Sequence, residues 1–502
     1  MSRDAVALET EPAVVQRIGL VLGPLLFLIV LFFGDLGDVT ITRTAAIALW
    51  IATWWITDAI PLAATALLPI VLFPLLGVQS GAAVAEAYAN WIIFLYIGGF
   101  LVATAMQRWN LHRRIALRIL LSVGASPPAI LFGFMAGTAF LSMWISNTAT
   151  TMMMVPIALA ILANLDEIAG RERVLAFGRG VLLGIPYAAS IGGISTLVGT
   201  PPNMSLVGIY ATQFPEHPSI DFLRWMLFAL PLALVMFAFA WAMLAWRMKR
   251  TGGATLNVDI SVIRGEYARL GPMGIEERIV LAIFAGLAVA WITRDSIALP
   301  SFTLPGWILL LPEESRGFLN DGVVAIAFAS LLFIIPSVTR RGERLLEGDA
   351  FGKLPWGIVL LFGGGFALAG AFQESGLSLW VGERLGLLAG WHPIVIIFAV
   401  CFVITFLTEV TSNTASAQIL LPVLAGLALE IDVHPLLLMV PGAVSCSCAF
   451  MLPVATPPNA IAFSSDRLRM RDMVRAGLAL NLFGAVVVTL FVYFWGRQVF
   501  GI

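Results

Sequence analysis

Charge is what this chain has least of. Of its 502 residues only 12% are Asp, Glu, Lys or Arg, 60% are hydrophobic, and the mean hydropathy is +0.95. An ordinary soluble globule carries roughly 25% charge. That scarcity excludes a soluble domain and, with a net charge of −1, a basic nucleic-acid surface. Cysteine and histidine are nearly as rare. Cys401, Cys446 and Cys448 lie in apolar stretches, and the Cys-x-Cys pair lacks a second ligand pair, so no disulfide framework or zinc site is indicated. There is no His-Glu-x-x-His, no Gly-x-Ser-x-Gly and no pair of intramembrane aspartates, which argues against an intramembrane enzyme, since hydroxyls without a base are poor nucleophiles. His112, His217, His392 and His434 fall at segment boundaries and give no support to a proton relay.

What the chain has is long apolar runs. About eleven are long enough to cross roughly 30 Å of hydrocarbon: 17–34, 43–59, 60–77, 90–107, 179–213, 221–248, 278–293, 320–337, 355–372, 436–466 and 473–496. Two more, 127–164 and 393–430, are interrupted by Ser146-Asn147-Thr148 and Ser412-Asn413-Thr414, and each reads as a re-entrant hairpin of two half-helices. The expected fold is an all-α polytopic membrane protein with eleven transmembrane helices and two re-entrant hairpins. No small-residue cleavage site follows the first run, so it is expected to stay as an uncleaved span.

The two Ser-Asn-Thr phrases stand 266 positions apart, and the same offset relates Gly98-Gly99-Phe100 to Gly364-Gly365-Phe366, Gln107 to Gln373, Pro127 to Pro393, Phe140-Leu141 to Phe406-Leu407 and Pro156 to Pro422. This is an internal duplication. With the amino terminus inside, 23 of 29 Lys and Arg fall on the cytoplasmic side, leaving Arg43, Arg224, Arg294, Arg316, Arg384 and Arg497. The assignment requires both hairpins to be re-entrant, the first from the cytoplasm among arginines, the second from outside among Glu374, Glu383, Glu430 and Asp432. The expected organisation is an amino-terminal segment with the first span (1–42), a first inverted repeat (43–248), a cytoplasmic linker (249–277) and a second inverted repeat (278–502). The carboxyl terminus is then external.

Ser, Asn and Thr are preferred helix N-caps. A break at membrane depth survives only inside protein or beside a watery cavity. Each half-helix that starts there, from about Ala149 or Ala415, aims partial positive charge at the cavity. Each that ends there, near Ser142 to Ile145 or Thr408 to Thr411, offers free carbonyls to a small cation. A second pair of breaks, Gly199-Thr200-Pro201-Pro202-Asn203 and Ala455-Thr456-Pro457-Pro458-Asn459, reads as Thr N-caps with proline in the first turn, inside the broken spans 179–213 and 436–466. Ten extra residues separate hairpin from broken span in the first half, around the charged loop Asp166 to Arg173.

With these paired phrases, and with Trp55-Ile56-Thr57-Asp58-Ala59-Ile60-Pro61-Leu62, the chain resembles the divalent anion/sodium symporters over nearly its whole length. The resemblance implies a sodium site at Ser142, Ser146, Asn147 and the Gly199 carbonyl, and another at Thr408, Ser412, Asn413 and the Ala455 carbonyl. It implies substrate carboxylates meeting Asn147, Thr148 and Thr200 from one half, and Asn413, Thr414, Thr456 and Pro457 from the other. It also implies a homodimer in a lipid bilayer, a bacterial inner membrane, working as an elevator.

The residues themselves agree on one point. No Lys, Arg or His lies near either tip, although Arg is the common partner of a carboxylate. Half-helix dipoles worth about 1–2 kcal/mol each compensate a dianion poorly, so bound sodium ions must help. Small C4-dicarboxylates (succinate, malate, fumarate) are the first expectation, with citrate, sulfate or sodium-independent exchange as alternatives. A channel would need a continuous pore rather than two tips meeting at the midplane. Glu409, whose counterpart is Met143, is either a cation-tuning or an internally bonded acid, and Asp58 reads as a helix cap.

Overall fold

The computed structural model describes residues 14–251, 253, 258, 260–298, 303–386 and 390–502. Arg3, Asp4, Glu9 and Glu11 of the amino-terminal segment, and residues 254–257 of the linker, lie outside the described residues. The described chain is helical apart from one two-stranded ribbon, Ile297–Ala298 with Thr303–Leu304.

Among the described residues eight helices are long and apolar enough to cross a membrane, against the eleven segments read from the sequence. The difference has local causes. Segments 60–77 and 320–337 are short helices, Leu62–Leu75 (itself interrupted) and Asp321–Ile334. The broken spans divide into Arg171–Ile194 and Pro201–Gln213, and Leu436–Cys446 and Pro457–Phe463. The 278–293 segment is an 18-residue helix, Ile275–Ile292, with Glu276, Glu277 and Arg278 in its first turn. The expected charged loop Asp166 to Arg173 shrinks to one residue, because Asn147–Ala169 and Arg171–Ile194 run their polar ends up to Gly170 at φ 84°.

Two helices were not foreseen. Each Gly-Gly-Phe helix, Trp91–Arg108 and Trp356–Ser375, ends in a left-handed residue and turns into a short helix, Leu111–Ser122 or Leu377–Leu385. The left-handed residues are Asn110 (φ 57°) and Gly376 (φ 80°), again 266 apart. Asn and Gly are the residues that tolerate this conformation, so their spacing was a legible stop signal.

The halves interlock. Trp91–Arg108 packs on Asp321–Ile334 of the other half, and Trp356–Ser375 packs on Val39–Thr57 and Leu62–Leu75. The first glycine of each pair is the seam: a Cβ at Gly98 would lie 2.6 Å from the Ala325 carbonyl carbon, and one at Gly364 2.6 Å from the Ala66 oxygen. Arginines assigned to one face gather there with acids from distant segments. Arg108 pairs with Glu343 at 2.6 Å, Arg114 with Glu277 at 2.5 Å, Arg467 with Asp166 at 2.6 Å and Arg179 with Asp472 at 3.2 Å. The linker helix Ser261–Arg269 docks on Leu111–Ser122 through Arg113 and Glu266.

Backbone atoms at the seam cannot step aside. Gly98→Ala and Gly364→Ala are each expected to destabilise the fold by about 1–3 kcal/mol, read as a lower apparent unfolding temperature in detergent; an unchanged transition would show that the seam is looser than this.

Candidate functional site

Both Ser-Asn-Thr phrases start helices, Asn147–Ala169 and Asn413–Glu430, two residues earlier than the sequence suggests. The N-caps are Ser146, whose Oγ accepts from the Ala149 N–H at 3.2 Å, and Ser412, whose Oγ accepts from Ala415 at 3.4 Å. Behind each tip a hydroxyl holds the asparagine: Ser142 Oγ donates to Asn147 Oδ1 at 2.5 Å, and Thr408 Oγ1 lies 2.7 Å from Asn413 Oδ1 and 3.0 Å from the Cys446 carbonyl.

The Thr-Pro-Pro-Asn breaks match in detail. Thr200 (φ −147°, ψ 140°) and Thr456 (φ −144°, ψ 146°) are extended N-caps followed by two prolines. The fully buried amides of Asn203 and Asn459 then tie each new helix to carbonyls freed by the helix before it. Asn203 Nδ2 donates to Gly193, Ile194 and Thr196 oxygens at 3.2, 3.2 and 2.7 Å; Asn459 Nδ2 donates to Ala449 and Leu452 oxygens at 3.1 and 3.0 Å. Sequence reasoning quoted both asparagines but gave them no role, although their equivalence was available from the 256 offset between the breaks.

Both tips and both breaks open on one cavity of about 800 Å³. Every expected substrate residue lines it: Asn147, Thr148, Thr200, Asn413, Thr414, Thr456 and Pro457. Four helix N-termini, at Asn147, Pro201, Asn413 and Pro457, thus point partial positive charge into one space. Of the residues expected to hold sodium, Ser146, Gly199, Ser412 and Ala455 join the two asparagines on the wall, while Ser142 and Thr408 are fully buried behind it.

Oxygen atoms crowd where a small cation would sit. A Cβ at Gly193 would meet Asn147 Oδ1 at 2.6 Å and the Gly199 oxygen at 3.0 Å; one at Gly199 would meet the Gly193 oxygen at 2.5 Å. Two glycines therefore let the Gly193 and Gly199 carbonyls approach the Asn147 amide, whose Nδ2 is 3.1 Å from the same Gly193 point, and the oxygens among them are hard donors of the kind an alkali ion takes. In the second half the Thr408 hydroxyl lies within bonding distance of both Asn413 Oδ1 and the Cys446 carbonyl. Gly193 and the Cys446 carbonyl were not foreseen. Asp58 is the one charged side chain among the described residues lining the cavity; it caps Val39–Thr57 in the left-handed region (φ 49°) and also faces the chamber.

The halves staple their breaks differently. In the second, Glu409 is 3% exposed; its Oε1 accepts from the Phe450 and Met451 N–H groups at 2.7 and 2.8 Å and from Asn481 Nδ2 at 2.7 Å, and its Oε2 from the Leu452 N–H at 2.9 Å. This clamps the unwound stretch leading to Ala455. In the first half Met143 replaces the acid, and Thr196 bridges instead, donating to the Met143 carbonyl at 2.5 Å and accepting from the Gly199 N–H at 3.1 Å. The internal-partner reading of Glu409 is the one its bonds support. His217 and His434 stack (centroids 5.4 Å apart), with Tyr210 Oη 3.0 Å from His217 Nδ1, and the three cysteines are buried and free.

Glu409→Ala would leave four buried donors without an acceptor, at roughly 1–3 kcal/mol each, so folded protein recovered from membranes should fall sharply. Glu409→Gln keeps one acceptor oxygen; it should fold, with an unfolding temperature in detergent between those of the parent and Glu409→Ala. A Glu409→Ala variant as stable as the parent would show that these bonds do not hold the break.

Residues 17–502 match the family model for the sodium:sulfate symporter transmembrane region. The sodium-dependent dicarboxylate transporter SdcS of Staphylococcus saprophyticus is 43% identical over 495 residues, covering 97% of this chain and 92% of the relative. SdcS of Staphylococcus aureus strain NCTC 8325 is 44% identical over 494 residues, with the same coverage. Two solved transporters share the fold alone. MtrF of Neisseria gonorrhoeae has a TM-score of 0.54 at 12% identity, over 85% of this chain and 84% of that one; YdaH of Alcanivorax borkumensis has 0.52 at 13%, over 96% and 97%. Matched from its first described span to its last residue, this chain belongs to the sodium:sulfate symporter family, the divalent anion/sodium symporters that its paired motifs resemble.

Proposed function

We propose that the protein is a secondary transporter that carries a small dicarboxylate, a C4 acid such as succinate, malate or fumarate, together with sodium. The observation that carries this reading is the meeting of four helix N-termini in one chamber, with no cationic side chain among the described residues on its wall. Hydroxyls and amides of Asn147, Thr148, Thr200, Asn413, Thr414 and Thr456 would each bond a carboxylate oxygen. Two carboxylates about one C4 chain apart suit a site with one tip from each half. The charge left uncompensated is met by sodium in the cradle of Asn147, Gly193 and Gly199 and at its counterpart beside Asn413. Each ion strengthens anion binding and the anion strengthens theirs, which is the coupling that lets a sodium gradient drive uptake. The curated relatives named as sodium-dependent dicarboxylate transporters support this choice over citrate or sulfate.

Alternating access follows from the duplication. Two inverted repeats, each with a re-entrant hairpin, would move hairpins and broken spans against the interlocked Gly-Gly-Phe helices in an elevator-like stroke, within a homodimer in the plasma membrane. The arginine-rich face with Arg108, Arg114 and Arg179 is then cytoplasmic, with the amino terminus inside and the carboxyl terminus outside.

Proteoliposomes holding the purified protein should accumulate radiolabelled succinate when sodium is high outside, and Asn147→Ala or Asn413→Ala should reduce that uptake to background. Uptake that ignores the sodium gradient would replace symport with exchange, and full uptake by either variant would discard the site. Topology has its own test: in right-side-out vesicles, Glu172→Cys and Gly342→Cys should resist an impermeant maleimide that modifies Asp432→Cys. Modification of all three would discard the inverted arrangement.

A further inference from the structure

The two glycines of each Gly-Gly-Phe differ in what they face. Gly98 and Gly364 form the seam between the interlocked halves, and they do so alike. Gly365 faces the second hairpin whereas Gly99 faces Val198 of the first break and Trp291, and there the halves part company. A Cβ at Gly365 would lie 1.9 Å from Gln418 Oε1 and 2.1 Å from its Cδ. Gln418 stands on the long arm of the second hairpin and is fully buried. Its Nε2 donates to Ser205 Oγ at 3.0 Å, so the amide cannot simply swing away, and its Oε1 has no partner. Gln213 at the end of the first broken span closes the same side, donating to the Ala369 carbonyl and to Ser378, both at 3.3 Å.

At Gly99 a methyl would fit at ordinary contact distance. A Cβ there meets nothing closer than Val198 Cγ1 at 3.4 Å. The residue 266 positions before Gln418 is Met152, on the equivalent arm of the first hairpin, and it is 60% exposed rather than buried. Met152 lines a cavity of about 330 Å³ between that arm and the start of Leu111–Ser122, with Gln107 and His112 on the opposite wall. The counterpart of His112 is Ser378, which in the second half is covered. The void in one half thus occupies the place that is filled in the other. Two walls related by the 266 offset, one with Gln418 seated against its glycine and one with Met152 beside a cavity, are what a single motion would leave at its two ends.

We propose that the second glycine of each Gly-Gly-Phe is a seat that the hairpins take in turn: Gln418 occupies Gly365 here, and in the opposite state Met152 occupies Gly99 while Gln418 withdraws. This rests on the transport reading above and names the residues on which its conformational step turns. The seat must be glycine because any Cβ takes the space of the incoming side chain. A methyl at Gly365 disfavours the present state, and a methyl at Gly99, harmless here, disfavours the opposite one. The unmatched acceptor of Gln418 against the apolar Met152 also makes the two seats unequal, so the resting balance between states is written in these two side chains.

Thiol labelling tests it, since the native cysteines are buried. Met152→Cys should be modified readily by a small maleimide in the parent chain. Adding Gly365→Ala should slow that modification at least about fivefold. Gly99→Ala should keep it fast and insensitive to added sodium and succinate, and should lower succinate uptake by about tenfold or more. Gln418→Ala in the Gly365→Ala background removes the collision and should restore the parent labelling rate, which separates a shifted equilibrium from a damaged fold. Equal labelling rates in the two glycine variants, in a parent that still takes up succinate, would overturn the exchange of seats. A parent that takes up no succinate would overturn the transport reading instead, and the labelling difference would then decide the seats on its own.

Discussion

A helix interrupted inside hydrocarbon must find a partner for every backbone group it frees, and this chain interrupts four helices in one place. Serine caps at 146 and 412 take up one N–H each, the amides of Asn203 and Asn459 gather loose carbonyls, and prolines at 201, 202, 457 and 458 remove donors before they can go unpaired. What is left over has a definite character: N–H groups converging on a chamber, and carbonyls turned toward cradles beside it. A chamber edged by helix N-termini, with carbonyl oxygens beside it, is therefore what remains when the breaks are stabilised in this way.

The same phrases recur 266 positions apart, yet the two copies have not stayed equal. The tips and the Asn203 and Asn459 ties are kept almost atom for atom, whereas the support behind them is not. One half relies on the Thr196 hydroxyl and the other on the Glu409 carboxylate with Asn481. The tips touch the chamber, and the Asn203 and Asn459 ties lie just beneath its wall. The divergent parts stand behind it, where any arrangement that satisfies the backbone serves.

The polar phrases, the offset of 266 and the apolar runs made the membrane class, the paired breaks and the wall residues readable, because each rests on local chemistry: N-cap preference, proline at a first turn, and run length. Three things escaped. The short helices after Asn110 and Gly376 are amphipathic and too brief to register as spans. The Gly193 cradle contributes only a backbone oxygen and the space left by a missing side chain, neither of which marks a sequence. Glu409 looked anomalous among apolar neighbours because its partners, the N–H groups of residues 450 to 452, lie about forty residues away and carry no side-chain signature.

Gly170 deserves a last thought, as the sole residue between two helices of 23 and 24 residues. So tight a corner, fastened on either side by Asp166 to Arg467 and Arg179 to Asp472, leaves the first tip and the first break little freedom to shift relative to each other. In the proposed stroke the chamber would then travel as a finished mould. Discrimination among acids would be set once, by the spacing of two tips, and would read the same from either face of the bilayer.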